Sequence, residues 1–224
     1  GTLTQVINVQ CTFNWNFSGV FIICISVYLK SRLEKVNERI TAANGKYIPP
    51  AYWRVMREDY GKITSLVRKI DDVIGGVIFI SSANNLFFIC LQLLHSLDGG
   101  GTAAPSCLNG SQKTTGLIVG YTQTVYFVYS LVFLVTRSVV GIIVAARIHS
   151  ESKRTAYALY QMSSDSYCAE MQRFLDQVHS DDVALSGLAF FYLKRGMVLS
   201  IAGTIVKYEL VLMQIAGVSP TVSK

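Results

Sequence analysis

The chain has 224 residues, of which 51% are hydrophobic and only 15% are charged, and its formal net charge is +6. Its mean hydropathy of +0.39 lies on the apolar side of soluble globular proteins. This composition excludes an ordinary soluble domain and predicts an integral membrane protein. The basic residues occur in separate segments and are mixed with acidic ones, so no nucleic-acid partner is predicted.

Four apolar windows are long enough to cross a hydrocarbon core about 30 Å thick, which requires roughly 20 residues of helix. Because the windows lack the alternation of strands, the predicted fold class is all-α, a polytopic bundle of transmembrane helices. The windows are residues 11–29, 73–97, 117–144 and 196–218.

The segment after the first window, residues 31–72, is rich in Lys and Arg, which predicts a cytosolic position. Its proline pair is suited to opening a helix. An apolar stripe then recurs every three or four residues, which predicts a helix that packs on a partner and continues into the second window. The alternative is a helix lying on the inner leaflet. The stripe consists of Trp53, Met56, Tyr60, Ile63, Val67 and Ile70.

The connection at residues 98–116 is rich in Gly, Ser and Thr and contains the sequon Asn109-Gly110-Ser111. These features predict an extracellular loop that is glycosylated at Asn109. Cys11 and Cys107 are both predicted on the outer side, and whether they pair stays open because a sequence does not supply their distance.

The segment before the last window, residues 147–194, is again basic and predicted to be cytosolic. Ser163 or Ser164 is suited to capping a helix in this segment. The predicted apolar face of that helix consists of Met171, Phe174, Leu175 and Val178.

Two pairs of carboxylates occur outside the windows, at residues 71–72 and 181–182. Each pair precedes an apolar stretch, so both are interpreted as residues that cap a helix or interact with its dipole. The chain has no catalytic motif and no Cys and His spacing suited to a metal, and the prediction is a protein that is not an enzyme and has no cofactor.

Amides, hydroxyls and aromatic rings occur at similar depth in the outer halves of three windows. Such a mixture suits a sugar, whose hydroxyls need donors and acceptors while its C–H faces stack on rings. The alternative for each residue is a polar tie between helices. The predicted ligand-binding residues are Trp15, Asn16, Asn84, Asn85, Gln123 and Tyr126.

The last window contains two charges, Lys207 and Glu209, which point about 200° apart around a helix. Lys207 shares a polar and aliphatic stripe with Thr204, Val211, Gln214 and Val218. Such a stripe could line a pore in an oligomer, with Val211 as a hydrophobic gate and Gln214 as a polar ring. The alternative is a packed helix with a snorkelling lysine.

The stretch "FFYLKRGMVLSIAGTIVKYELVLMQ" resembles the C-terminal signature of insect gustatory receptors, a Thr-Tyr pair followed by five mostly apolar residues and Gln-Phe. "AGTIV" and "YELVL", which includes Glu209, are similar to the sugar-receptor subfamily, as is "SSANNLFFICLQL". Tyr208 and Gln214 match the signature, whereas Lys207 stands in place of Thr and Ile215 in place of Phe.

The resemblance implies a seven-helix channel of inverted topology, whose seventh helix lines the pore of a tetramer. The pore residues would be Lys207, Val211, Gln214 and Ile215. Residues 1–30, 73–97, 117–146 and 195–218 would be helices four to seven. Residues 31–72 and 147–194 would form a cytosolic anchor, 98–116 an extracellular loop and 219–224 an extracellular tail.

The resulting prediction is a fragment of a sugar-sensing gustatory receptor, a ligand-gated non-selective cation channel subunit in the plasma membrane. Its expected partners are a sugar, permeating cations, other receptor subunits in a homo- or heterotetramer, and the lipid bilayer. Lys207 would lie at the inner pore mouth or pair with Glu209 of a neighbouring helix. The alternative function is a secondary transporter for sugars or another small polar solute, which is disfavoured because no internal repeat is found.

Overall fold

The structure, a computed structural model, describes residues 1–46, 48–99, 113–162 and 167–217. Within these ranges, the side chains at 95–99, 113–124, 209, 212–213 and 215–217 lie outside the description. The predicted all-α class is confirmed. The elements are α1 (Thr2–Ala42), α2 (Pro50–Gly99), α3 (Lys113–Tyr160), α4 (Ala169–Ser180), β1 (Ser186–Gly187), β2 (Phe191–Tyr192) and α5 (Arg195–Gly217).

Three helices in the described ranges are long and apolar enough to cross a membrane, namely Thr2–Ala42, Pro50–Leu94 and Val125–Tyr160. Each overlaps one of the predicted windows. α2 begins at Pro50, at the position where the missing N–H of proline costs no hydrogen bond. It continues to Gly99, so the predicted continuity of the amphipathic segment with the second window is confirmed. The fourth window corresponds to α5, which has 23 residues.

The chain divides into two compact units. Unit 1 comprises Gly1–Ser81 and Gly141–Met197, and unit 2 comprises Ser82–Val140 and the chain from Val198 onward. Unit 1 therefore holds all of α1, the first part of α2, the last part of α3, α4, the hairpin and the first turn of α5.

The core of unit 1 is built from the amphipathic stripes. Trp53 and Tyr60 of α2 are fully buried, and the ring of Tyr60 makes an edge contact with Phe174 of α4 at a centroid distance of 5.6 Å. Met171 and Val178 complete the buried face of α4. Both predicted stripes thus pack inside the protein. They remove each other's apolar area from solvent, so no lipid surface is needed to cover them.

Two expectations about polar residues are wrong. The described part of α4 begins at Ala169 with Cys168 as its N-cap, so neither Ser163 nor Ser164, which lie outside the described residues, caps it. Residues 71–72 lie inside α2, and residues 181–182 follow the end of α4. Neither carboxylate pair therefore caps the start of a helix. Asp71 of the first pair and both residues of the second pair make contacts with other segments instead.

Candidate functional site

α5 presents the predicted pore stripe on an exposed face. Val198, Ile201 and Ile205 form its half-buried face, and the stripe lies about 130° away around the helix. The described stripe residues are all exposed, namely Thr204, Lys207, Val211 and Gln214, whereas Val218 lies outside the described residues. The structure therefore leaves this face available to another protein chain, to lipid or to water.

The remaining predicted residues of α5 are only partly described. Tyr208 is exposed, whereas the side chains of Glu209 and Ile215 lie outside the description. The proposed pairing of Lys207 with Glu209 stays a prediction for that reason. Asn109 and Cys107 also lie outside the described residues.

The predicted ligand residues are distributed over both units. Trp15, half-buried, and Asn16, exposed, belong to α1 in unit 1. Asn84 and Asn85 of α2, both half-buried, and the exposed Tyr126 of α3 belong to unit 2. Gln123 is on α3, but its side chain lies outside the description. A common cavity for these residues stays a prediction.

A hydrogen bond joins α2 to α3 in unit 2, close along the chain to Asn85 and Tyr126. The Gln92 amide of α2 donates to the Ser130 hydroxyl of α3 at 2.7 Å. The amide oxygen of Gln92 is buried and has no hydrogen-bond partner among the described residues. The nitrogen of the Gln92 amide therefore connects α2 to α3. Its oxygen remains available to accept a hydrogen bond from a hydroxyl donor such as water or a ligand.

A short β-hairpin precedes α5, and hydrogen bonds to α2 hold the hairpin in place. The Ser186 N–H donates to Asp71 Oδ1 at 2.6 Å, and the Ser186 hydroxyl donates to Asp71 Oδ2 at 2.7 Å. The Ser186 hydroxyl oxygen also accepts the Ala189 N–H at 3.1 Å. The Asp71 carboxylate thus accepts hydrogen bonds from β1 directly, and it orients the Ser186 hydroxyl that accepts a hydrogen bond from the turn.

The turn of the hairpin requires an unusual backbone. Leu188 and Ala189 both have positive φ, at 52° and 61°, a region that costs non-glycine residues about 1 kcal/mol or more. Two ring contacts hold the turn, because Phe79 of α2 lies 5.4 Å from the Phe190 centroid and 6.3 Å from the Phe191 centroid. Gly75 allows the backbone at Leu188 to approach, since a Cβ there would lie 3.3 Å from its nitrogen.

Ion pairs fix both ends of the segment between α4 and α5. Asp181 pairs with Arg68 of α2 at 2.5 Å. Asp182 pairs with Lys194 at 2.6 Å and lies 3.3 Å from His149 of α3. The hydrogen bond from Lys194 holds the pKa of the Asp182 carboxyl below its ordinary value of 3.8, so this carboxylate is charged at neutral pH.

Comparison with known sequences determines the family. The sequence profile of the trehalose receptor family matches residues 1–223. The chain belongs to the trehalose receptor family. The prediction of an insect sugar gustatory receptor is thereby confirmed, and with the long apolar helices it makes the chain part of a membrane protein.

Curated receptors for sugar taste and for trehalose resemble the chain along nearly all of its length. It is 39% identical over 207 residues to the gustatory receptor for sugar taste 64f of Drosophila melanogaster, covering 92% of this chain and 40% of the relative. It is 36% identical to the gustatory receptor for sugar taste 64a of the same species, covering 95% of this chain and 42% of the relative. For gustatory receptor 5a for trehalose, the identity is 33%, with 95% and 44% covered. The chain thus spans less than half the length of these relatives, which are receptors rather than enzymes.

The fold also matches a solved structure. The insect olfactory receptor OR5 from Machilis hrabei, solved in complex with eugenol, aligns with a TM-score of 0.60 at 12% identity. The alignment covers 88% of this chain and 48% of that receptor. The chain therefore shares the helical fold of an insect olfactory receptor.

Sequence reasoning did not predict the hairpin or its hydrogen bonds to Asp71. The Ser-Gly dipeptide at residues 186–187 is a turn signal that could have indicated the hairpin. No local signal identifies Asp71 as its partner, because the two residues are separated by 115 positions along the chain.

Proposed function

We propose that the receptor containing this chain detects sugars as a ligand-gated, non-selective cation channel subunit of the plasma membrane. The family match over residues 1–223 carries the sugar-sensing part, because the similar curated relatives are named for sugar taste and for trehalose. The channel part is supported by the exposed stripe of α5, which includes a valine and an amide one turn apart.

The pore in this proposal is formed by α5 helices of several subunits, arranged as a homo- or heterotetramer. The stripe lies away from the half-buried face of α5, so a single helix can pack on its own unit and still present Val211 and Gln214 to an axis. Rings of aliphatic and polar side chains are typical of gates and constrictions in channels. The C-terminus would then be extracellular, as the positions of the basic segments predict.

The sugar site in this proposal is open to the outside and is formed by Trp15, Asn16, Asn84, Asn85, Gln123 and Tyr126. Gln92 is a further candidate, because its buried amide oxygen has no partner in the described part of the chain. A sugar hydroxyl that donates to this oxygen would satisfy a group that is otherwise costly to bury.

Currents from the complete receptor across a panel of sugars test both parts of the proposal together. A sugar-evoked cation current supports it. Uptake of a labelled sugar without current would contradict the channel and favour a transporter.

Cysteine accessibility tests the pore stripe separately. Val211→Cys and Gln214→Cys should make the sugar-evoked current sensitive to a charged thiol reagent, because the modified side chains would obstruct the pore. Ile205→Cys is the matched control on the half-buried face and should leave the current unchanged, as should the reagent on the natural cysteines. Equal block at Ile205→Cys, or no block at either stripe position, would contradict a pore along this face.

A further inference from the structure

A cationic groove lies between α1 and α2 in unit 1, apart from the predicted sugar site and pore stripe. Its volume is about 360 Å³, within the range of small-molecule sites. Four basic side chains and one carboxylate line it, which gives a net charge of +3. The lining residues are Tyr28, Arg32, Lys35, Val36, Arg39, Asp59, Lys62, Ile63 and Leu66.

The spacing of these residues explains why the groove is continuous. On α1 the basic residues Arg32, Lys35 and Arg39 recur every three or four positions and so share one face of the helix. Val36 between them is buried, and with the half-buried Ile63 and Leu66 of α2 it forms an apolar floor. The groove thus combines an apolar base with cationic walls.

Contacts within the groove position three of its four cations, two of which share one carboxylate. Arg32 Nε donates to the Tyr28 hydroxyl at 3.2 Å, and the guanidinium lies 5.1 Å from the tyrosine ring centroid. The Asp59 carboxylate lies 3.4 Å from both Arg39 and Lys62. A single carboxylate between two cations leaves an excess of positive charge that a multivalent anion can neutralise.

The groove also lies at the predicted cytosolic surface of the bilayer. The first apolar window ends at residue 29, so Tyr28 is at the depth where aromatic residues gather, and the basic residues of α1 follow it directly. Anionic lipids are concentrated in the cytosolic leaflet and attract Lys and Arg clusters next to a membrane helix.

We propose that this groove binds the polyphosphorylated headgroup of an inositol phospholipid from the cytosolic leaflet. Arginine binds phosphate through paired N–H groups, and the groove contains two arginines. Its four cations exceed what one phosphodiester needs, which favours a headgroup with several phosphates. The inference requires the predicted cytosolic side of these segments, but it requires neither sugar sensing nor channel activity.

Binding of a fluorescent short-chain phosphatidylinositol bisphosphate to the detergent-solubilised complete receptor tests the proposal by anisotropy. Arg32→Gln and Lys35→Gln should each weaken binding about fivefold, because each removes one basic contact to an anionic surface. Asp59→Asn should tighten binding by a similar factor, because it removes the competing carboxylate. This gain cannot result from a failure to fold.

Arg54→Gln is the matched control, since Arg54 is also on α2 and pairs with Glu58, and neither of these two residues lines the groove. It should leave the affinity unchanged. Equal weakening by Arg54→Gln, or unchanged affinity in Asp59→Asn and both groove variants, would overturn the proposal.

Competition distinguishes the source of the phosphates. Unlabelled phosphatidylinositol bisphosphate should displace the probe at much lower concentration than soluble inositol trisphosphate or phosphatidylserine. Equal displacement by soluble inositol trisphosphate would overturn the lipid and indicate a free anion. Equal displacement by phosphatidylserine would overturn selectivity for a polyphosphorylated headgroup.

Discussion

Asn37 connects α1 to α3 inside unit 1. Its amide nitrogen donates to the Glu151 backbone carbonyl at 3.0 Å and to the Glu151 carboxylate at 3.2 Å. Its amide oxygen accepts the buried Thr155 hydroxyl at 2.7 Å. An amide that uses both its donor and its acceptor in this way fixes the relative register of two helices, because apolar packing alone tolerates sliding.

Asn37→Ala should lower the free energy of unfolding by about 1–3 kcal/mol, because it removes the amide that hydrogen-bonds to Glu151 and to the buried Thr155 hydroxyl. The midpoint of thermal denaturation of the solubilised receptor measures the change. Asn44→Ala, at an exposed position, is the control and should stay close to the parent. Equal midpoints for the two variants would contradict a structural role for Asn37.

The hairpin is the element that distinguishes this chain from a simple set of helices. Strand β1 pairs with β2 through Ser186 with Tyr192 and Gly187 with Phe191. A Cβ at Gly187 would lie 2.4 Å from the Phe191 ring. Because that ring also stacks against Phe79, it cannot turn aside without losing the contact that seats the hairpin on α2.

Gly187→Ala should therefore destabilise the receptor by about 1–3 kcal/mol. Gly76→Ala is the matched control, because nothing lies within 4 Å of a Cβ there and alanine is favoured in a helix interior. It should be neutral or stabilise by about 0.5–1 kcal/mol. Thermal denaturation of both variants tests the contrast, which fails if their midpoints shift equally.

The regular parts of the fold follow from the sequence. The stripe through Trp53, Tyr60 and Val67 predicts the buried face of α2, since side chains three and four positions apart share one face of a helix. The hairpin could not be predicted in the same way. Its turn places Leu188 and Ala189 at positive φ, where local preference favours glycine or asparagine, and only tertiary contacts compensate for this.

The candidate site is less accessible to sequence reasoning than the fold. A pattern places Trp15, Asn84 and Tyr126 at similar depth on their helices, but depth does not determine which side chains face one another. Asp71 illustrates the same limit, because its role depends on Ser186 of a distant segment rather than on its own helix. Periodicity assigns residues to faces, whereas sites arise where faces from separate segments meet.

The chain spans less than half the length of its curated relatives, and the proposed pore requires several copies of α5. In such an assembly the exposed Lys207 would be repeated around the axis, about one turn toward the cytosol from Val211. Repeated positive charge at that level opposes the entry of cations. A cation channel with lysine at this position should therefore conduct poorly.

Lys207→Thr should raise single-channel conductance severalfold, because it removes repulsion on the order of 1–4 kcal/mol per charge pair in a wet site. Lys69→Thr makes the same chemical change in the predicted anchor and should leave conductance unchanged. Impaired assembly or gating in Lys207→Thr would instead indicate pairing with Glu209. Parental conductance and normal assembly would exclude both placements.

The segment from Asp181 to Lys194 is held by contacts at both ends and in its middle. One end is tied to α2 through Arg68, the other closes on Asp182 beside His149 of α3, and Asp71 pins the middle. A force on the first turn of α5 would act on these contacts directly rather than extend a loop without contacts. Within unit 1, these contacts connect the segment that precedes α5 to both α2 and α3, and they give a displacement of the first turn of α5 a route to those helices.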